Sequence, residues 1–112
     1  MSRQYGLYIA DIIEAIDKIT EFTKGLDYLA FSKDDKTISA VIRKLEIIGE
    51  ATKKIPYEIT CDYPDIPWSL MAKLRDKLIH GYFEINLEII WKTIQNKLPE
   101  VKVKLQSIKK DT

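Results

Sequence analysis

Apolar residues return every third or fourth position along almost the whole chain, and that period leaves room for helices and little else. Ile9, Ile12, Ile13, Ile16 and Ile19 form one stripe, with Asp11, Glu14, Lys18 and Glu21 elsewhere on the wheel. Gly25 lies just beyond it, where a helix stop belongs. A second helix is predicted from Asp34 or Asp35 to about Lys54, before Pro56, with Ile38, Val41, Ile42, Leu45, Ile48 and Gly49 inward. A short irregular or one-turn segment follows. Asp65-Ile66-Pro67 then reads as a cap and a helix start with proline in the first turn. That helix should turn Leu70, Met71, Leu74 and Leu78 inward and end near Gly81. Asn86 caps a further helix with Leu87, Ile90, Trp91 and Ile94 on one side. Pro99 marks a break or a new first turn, and Val101, Leu105 and Ile108 carry the pattern to the tail. The expected fold is all-α, an up-and-down bundle of four main helices plus short additional helices.

A chain of 112 residues suits one domain, here 1–112, and 46% hydrophobic with 31% charged residues suits a soluble one. The net charge of +1 gives no overall pull toward nucleic acid or membrane. Near the C-terminus, however, Lys97, Lys102, Lys104, Lys109 and Lys110 outnumber Glu100 and Asp111. That excess reads as a solvated helix face, with a phosphate-attracting edge as the alternative. The single cysteine, Cys61, can form neither an internal disulfide nor a Cys-rich zinc site, and is expected to be buried as a small apolar side chain. No apolar run approaches membrane-spanning length and no secretory pattern opens the chain, so a cytoplasmic location without membrane association is expected.

Two of the helices carry apolar residues off their core stripe. On the second, Ile47 stands opposite the stripe's centre, flanked by Ala40 and Ala51. This is either a scattered exposed isoleucine or a helix-to-helix contact with a second subunit, since small residues permit close approach. On the helix after Pro67, Lys73, Asp76 and Lys77 face away from the core. Arg75 instead shares an apolar flank with Trp68, Ala72 and Ile79. A guanidinium there is expected to pair internally, to sit at an interface, or to meet an anionic ligand.

Chemistry concentrates in Arg75-Asp76-Lys77-Leu78-Ile79-His80-Gly81-Tyr82. It holds the only histidine, five residues after one of three arginines in a chain with fifteen lysines. An always-charged planar guanidinium and a titratable imidazole can together neutralise a phosphate and move a proton at neutral pH. Five residues of ideal helix turn through about 140°, so the two would not share a face of one regular helix. A helix end at Gly81, or a twofold dimer, could bring them together. Other classes fit less well. One histidine with isolated carboxylates makes no metal-ligand spacing, so no metal or cofactor is expected. No helix combines a basic face with arginine and amide side chains placed for base edges, which argues against sequence-specific DNA binding. Nothing places His80 beside Ser39, Ser69 or Cys61 for a serine or cysteine hydrolase.

Gly49-Glu50-Ala51, Ile66-Pro67-Trp68, the Arg75-Asp76-x-x-x-His80-Gly81-Tyr82 string, Trp91 and Leu98-Pro99 occur in an order that resembles the HepT-type branch of the HEPN superfamily. The resemblance runs from about Ile38 to Pro99, and the N-terminal helix fits by its pattern alone. It implies a helical, dimeric, metal-independent endoribonuclease, acting on RNA as the toxin of a toxin–antitoxin pair. Its partner would be a small nucleotidyltransferase antitoxin that adenylylates the tyrosine. Carried over by position, Arg75 and His80 are the catalytic pair, Asp76 accompanies them and Tyr82 is the modified, regulatory residue. Glu50 is a supporting residue that could orient Arg75; the bland reading makes it and Arg43 solvated or locally paired. Tyr82 likewise has the plain reading of an amphipathic side chain near a helix end. The alternative function is a HEPN-like module without nuclease activity that only pairs with a nucleotidyltransferase. A structural helical protein with no ligand is a further one.

Overall fold

The computed structural model describes residues 2–80 and 86–111, with the backbone alone for 2–4, 75–80 and 109–111. Among the described residues there is no strand. Helices α1 (Ser2–Thr23), α2 (Tyr28–Ser32), α3 (Asp35–Lys53), α4 (Tyr57–Thr60), α5 (Trp68–His80), α6 (Leu87–Lys92) and α7 (Leu98–Asp111) account for most of the chain. A π-helical turn, Thr93–Lys97, joins α6 to α7. The long stretches are therefore α1, α3, α5 and the α6–π–α7 run, the four expected from periodicity, with α2 and α4 as the short additions. No described helix is long and apolar enough to cross a membrane.

In α1 the stripe behaves as read: Ile9, Ile12, Ile16 and Ile19 are buried and Ala15 joins them, while Ile13 is half-buried against the core. Gly25 ends this stretch with φ at 80°, a left-handed conformation that glycine adopts without steric cost. Asp27 then accepts from the Ala30 N–H at 2.8 Å and starts α2. That single turn places Phe31 fully inside the core, against the Trp91 ring at 5.0 Å between centroids.

Helix α3 starts on Asp34. One carboxylate oxygen accepts the Thr37 N–H at 3.1 Å and the other the Thr37 hydroxyl at 2.7 Å. Those hydrogen bonds, the hydroxyl's first, hold the Asp34 carboxyl below the ordinary aspartate range. Helix α3 packs on both α1 and α5. Its buried residues accordingly extend from Val41, Leu45 and Ile48 round to Ala51 and Thr52, leaving Lys36, Ser39 and Arg43 to solvent.

Two local expectations are corrected. Cys61 is exposed, because the chain makes one turn outside the core at α4 and the core is filled by Ile55 and Ile66 on either side. Leu70 is 45% exposed, because it lies about 100° from the buried Met71 in the first turn of α5. Pro99 stands in the first turn of α7, one of the two alternatives read from the sequence, directly after the π-turn. A continuous α-helix would press its ring against the Gln95 carbonyl, and the wider π-turn just before it lets the helix pass.

Candidate active site

Helix α5 carries Arg75, Asp76 and His80, and its entry is fixed from several directions. The Trp68 Nε1–H donates to the Tyr63 carbonyl at 3.0 Å, and the Met71 N–H bonds the Pro67 carbonyl at 3.0 Å. Pro67 therefore occupies the capping position. Asp65, expected as the cap, instead tethers α7, its carbonyl accepting from Lys104 Nζ at 2.9 Å. Ile66 and Met71 lock this entry into the core at 3% and 2% exposure. The flank that holds Arg75 by sequence passes Trp68 and Ala72, both half-buried, so it runs along the edge of the core.

The helix is continuous through His80, so the Cα positions of Arg75 and His80 stand about 140° apart around its axis. The side chains of Arg75, Asp76 and His80, and all of Gly81 and Tyr82, lie outside the described residues. The chain is described again at Asn86, whose side-chain oxygen accepts from the Glu88 and Ile89 N–H groups at 2.9 and 3.2 Å. The described chain thus reaches His80 on α5 and resumes at the Asn86 cap. Trp91, one turn further, is held by Phe31 and by the edge of the Tyr28 ring at 6.4 Å.

Glu50 is half-buried on α3 and is itself engaged in a polar or ring interaction. Arg43, which shares its side of the wheel, approaches Glu46 at 3.9 Å on an exposed surface, where such a pair contributes little. The apolar face that the sequence offers to a second subunit has an internal explanation at one position. Ala51 is a core residue at 6% exposure, because α3 has neighbours on two sides. Ile47 packs against that core and Ala40 is half-buried. Among the described residues no three His, Cys, Asp or Glu side chains converge on a point that could hold a metal ion.

Sequence reasoning missed an open hollow on the outer face of the last helix, lined by Lys92, Thr93, Asn96, Lys97 and Glu100. Its one advance sign is Pro99 inside an otherwise unbroken helical pattern.

The family model for Ribonuclease HepT-like proteins matches residues 12–108, which include all of α5 and its motif. The chain belongs to the HepT-like family. It is 46% identical to the probable ribonuclease HepT of Thermococcus cleftensis, an alignment covering 98% of this chain and 100% of that protein. It is 48% identical to a Methanocaldococcus jannaschii protein carrying an RNase name, over 93% of this chain and 86% of that one. A Caldanaerobacter subterraneus protein, also named as an RNase, is 40% identical over 90% of both chains. No solved structure matches. HepT-like membership fits the all-helical bundle, and the family match takes in the second half of α1, which the resemblance in sequence reaches only by pattern.

Proposed function

We propose that this HepT-like chain is a single-domain, metal-independent endoribonuclease and the toxin of a toxin–antitoxin pair, with Arg75 and His80 as its catalytic residues. The observation that carries the reading is the family match across residues 12–108, with the Arg75-to-Tyr82 string inside it. The chemistry needs no added nucleophile, because the 2′-hydroxyl of RNA can attack the adjacent phosphate. The enzyme must then move two protons and stabilise a phosphorane bearing extra negative charge. His80 acts as general acid or base, a role typically worth about 10²- to 10⁴-fold. Arg75 holds the phosphate through two parallel hydrogen bonds that strengthen as charge develops. Asp76 and Glu50 support the pair.

One histidine cannot readily be both acid and base in one step, and a regular helix sets Arg75 and His80 on different sides. Both points favour a composite site in a homodimer. Ala40 and Ile47, the partly exposed members of the α3 face, are its proposed contact. Tyr82 is the proposed handle for inactivation by a small nucleotidyltransferase: an adenylyl group there adds bulk and negative charge where the RNA backbone must lie. A cytoplasmic location completes the proposal.

The test is cleavage of an end-labelled mixed RNA pool in excess EDTA by the parent, Arg75→Ala and His80→Ala proteins, each confirmed helical by circular dichroism. Cleavage by the parent with loss of at least about 100-fold in both variants is expected. Equal cleavage by all three would place the activity elsewhere. No cleavage by any, with Tyr82 unmodified by mass spectrometry, would favour a partner-binding module.

A further inference from the structure

Between α6 and α7 the backbone changes its hydrogen-bonding step: the Leu98 N–H reaches back five residues to the Thr93 carbonyl. Single π-turns of this kind are rare and occur often at functional sites. The consequence here is on the outer face. In an uninterrupted α-helix, Lys92 and Lys97 would stand about 140° apart. The wider turn reduces that angle, and both lysines line one hollow of about 250 Å³ with Thr93, Asn96 and Glu100.

The hollow's walls are mostly the apolar stems of long side chains, and its polar groups are the ends of those chains. Lys92 and Lys97 are exposed and neither ammonium has an ion-pair partner among the described residues. The Thr93 hydroxyl donates to the Ile89 carbonyl at 2.8 Å, which leaves its oxygen as an acceptor. Lys104 holds the Glu100 carboxylate at 3.4 Å and offsets its charge. Two cations and an amide N–H thus stand beside hydroxyl, amide and carboxylate oxygens. A ribose–phosphate backbone alternates the matching groups, an anionic phosphate and a 2′-hydroxyl that donates. The rest of the C-terminal lysine excess is otherwise engaged where it is described: Lys102 pairs with Asp17 at 2.6 Å, and Lys104 with Glu100 and the Asp65 carbonyl.

We propose that this hollow is a subsite for the backbone of single-stranded RNA, with Lys92 and Lys97 as its phosphate contacts. The inference rests on the ribonuclease reading for its substrate class and adds a place where that substrate is held. At about 1.5 Å per residue, Lys92 stands about 9 Å along the helix from Asn86, which follows Tyr82 by four residues in sequence. A strand of a few nucleotides spans that distance.

The test is fluorescence anisotropy with a short fluorescein-labelled single-stranded RNA over a series of salt concentrations, in the His80→Ala background so that cleavage does not intervene. Lys92→Gln/Lys97→Gln should weaken binding roughly tenfold near 0.1 M salt and flatten the slope of log K against log salt by about 1.4, the value for two phosphate contacts on a single strand. The exposed pair Lys24→Gln/Lys33→Gln, placed around α2, should change neither. Equal losses in the two pairs, no loss in the first, or no RNA binding by the unmutated background would overturn the proposal. Cleavage by the parent, with Lys92 and Lys97 immaterial to affinity, would remove the hollow and leave the ribonuclease reading. Affinity that depends on both lysines, without cleavage by the parent, would do the reverse.

Discussion

Helix α3 and the α6–π–α7 run are both long, both start on a side-chain cap, and differ in how many neighbours surround them. Helix α3 lies between α1 and α5, so its buried residues spread over about 160° of its circumference, and its hydrogen bonding is regular throughout. The last run buries Ile90, Ile94, Leu98, Val101, Leu105 and Ile108 along one side and leaves the other to water. It carries the π-turn and the hollow at Lys92 and Lys97. Packing explains the contrast. A helix enclosed on two sides cannot change its turn without moving two sets of close-packed contacts. A helix with one free side can widen a turn, and its outer groups are then regrouped without loss of core.

The largest test of that contrast is cavity formation. Leu45 of α3 and Leu98 at the end of the π-turn are 1% and 2% exposed. Truncating a buried leucine to alanine costs about 2–5 kcal/mol, and the spread reflects how far the surroundings collapse into the space. Leu45→Ala should fall in the upper part of that range, because two neighbouring helices hold the cavity open. Leu98→Ala should fall in the lower part, because the irregular turn can relax. Urea denaturation of both variants measures the difference, and equal losses would mean that the π-turn confers no local compliance.

The two caps give a smaller effect with a different pH signature. Asn86→Ala should cost about 1 kcal/mol, independent of acid, since an amide does not titrate. Asp34 caps as a carboxylate whose pKa is lowered in the folded state by the Thr37 hydroxyl and N–H. A depressed pKa means that its contribution is complete above the unfolded aspartate value and is lost as pH falls through the folded one. The stability gap between the parent and Asp34→Ala should therefore shrink in acid, while the gap for Asn86→Ala stays level. Thermal melts at neutral pH and near pH 3 distinguish them. A gap for Asp34→Ala that held constant would assign the cap to packing and not to charge.

The contrast also marks what sequence can tell. Periodicity locates all four long helical stretches, and Asp34, Gly25 and Asn86 are legible because a cap or a left-handed turn depends on one residue and its immediate neighbours. The errors come from tertiary context. Residue type alone puts Cys61 inside, although the chain there turns outside the core. A single helix wheel offers Ala51 to a partner because it does not reveal how many neighbours the helix has. Phe31 escapes notice because five residues are too few for a period. At the site, the Arg75-to-His80 string is legible as chemistry, and the regular helix through it gives the angular separation without side-chain detail. The hollow at Lys92 and Lys97 is not legible, since α-helical spacing sets those residues apart.

Pro99→Ala separates geometry from charge in that hollow. The substitution restores an N–H that could bond the Gln95 carbonyl and removes the ring that would press on it, so the local reason for a wide turn disappears. If Pro99 is the cause, the Leu98 N–H should leave the Thr93 carbonyl for that of Ile94, and Lys92 and Lys97 should move apart around the axis. RNA affinity should then fall a few-fold although no charge has been removed, and stability should change by less than about 1 kcal/mol because the residue is exposed. Amide hydrogen exchange at Leu98 together with anisotropy reads both effects. Unchanged affinity with an unchanged Leu98–Thr93 bond would attribute the π-turn to the packing of Leu98 and Val101. The free side of the helix would then be shaped by its buried side, and the separation between an enclosed helix and an open one would be weaker than their exposure suggests.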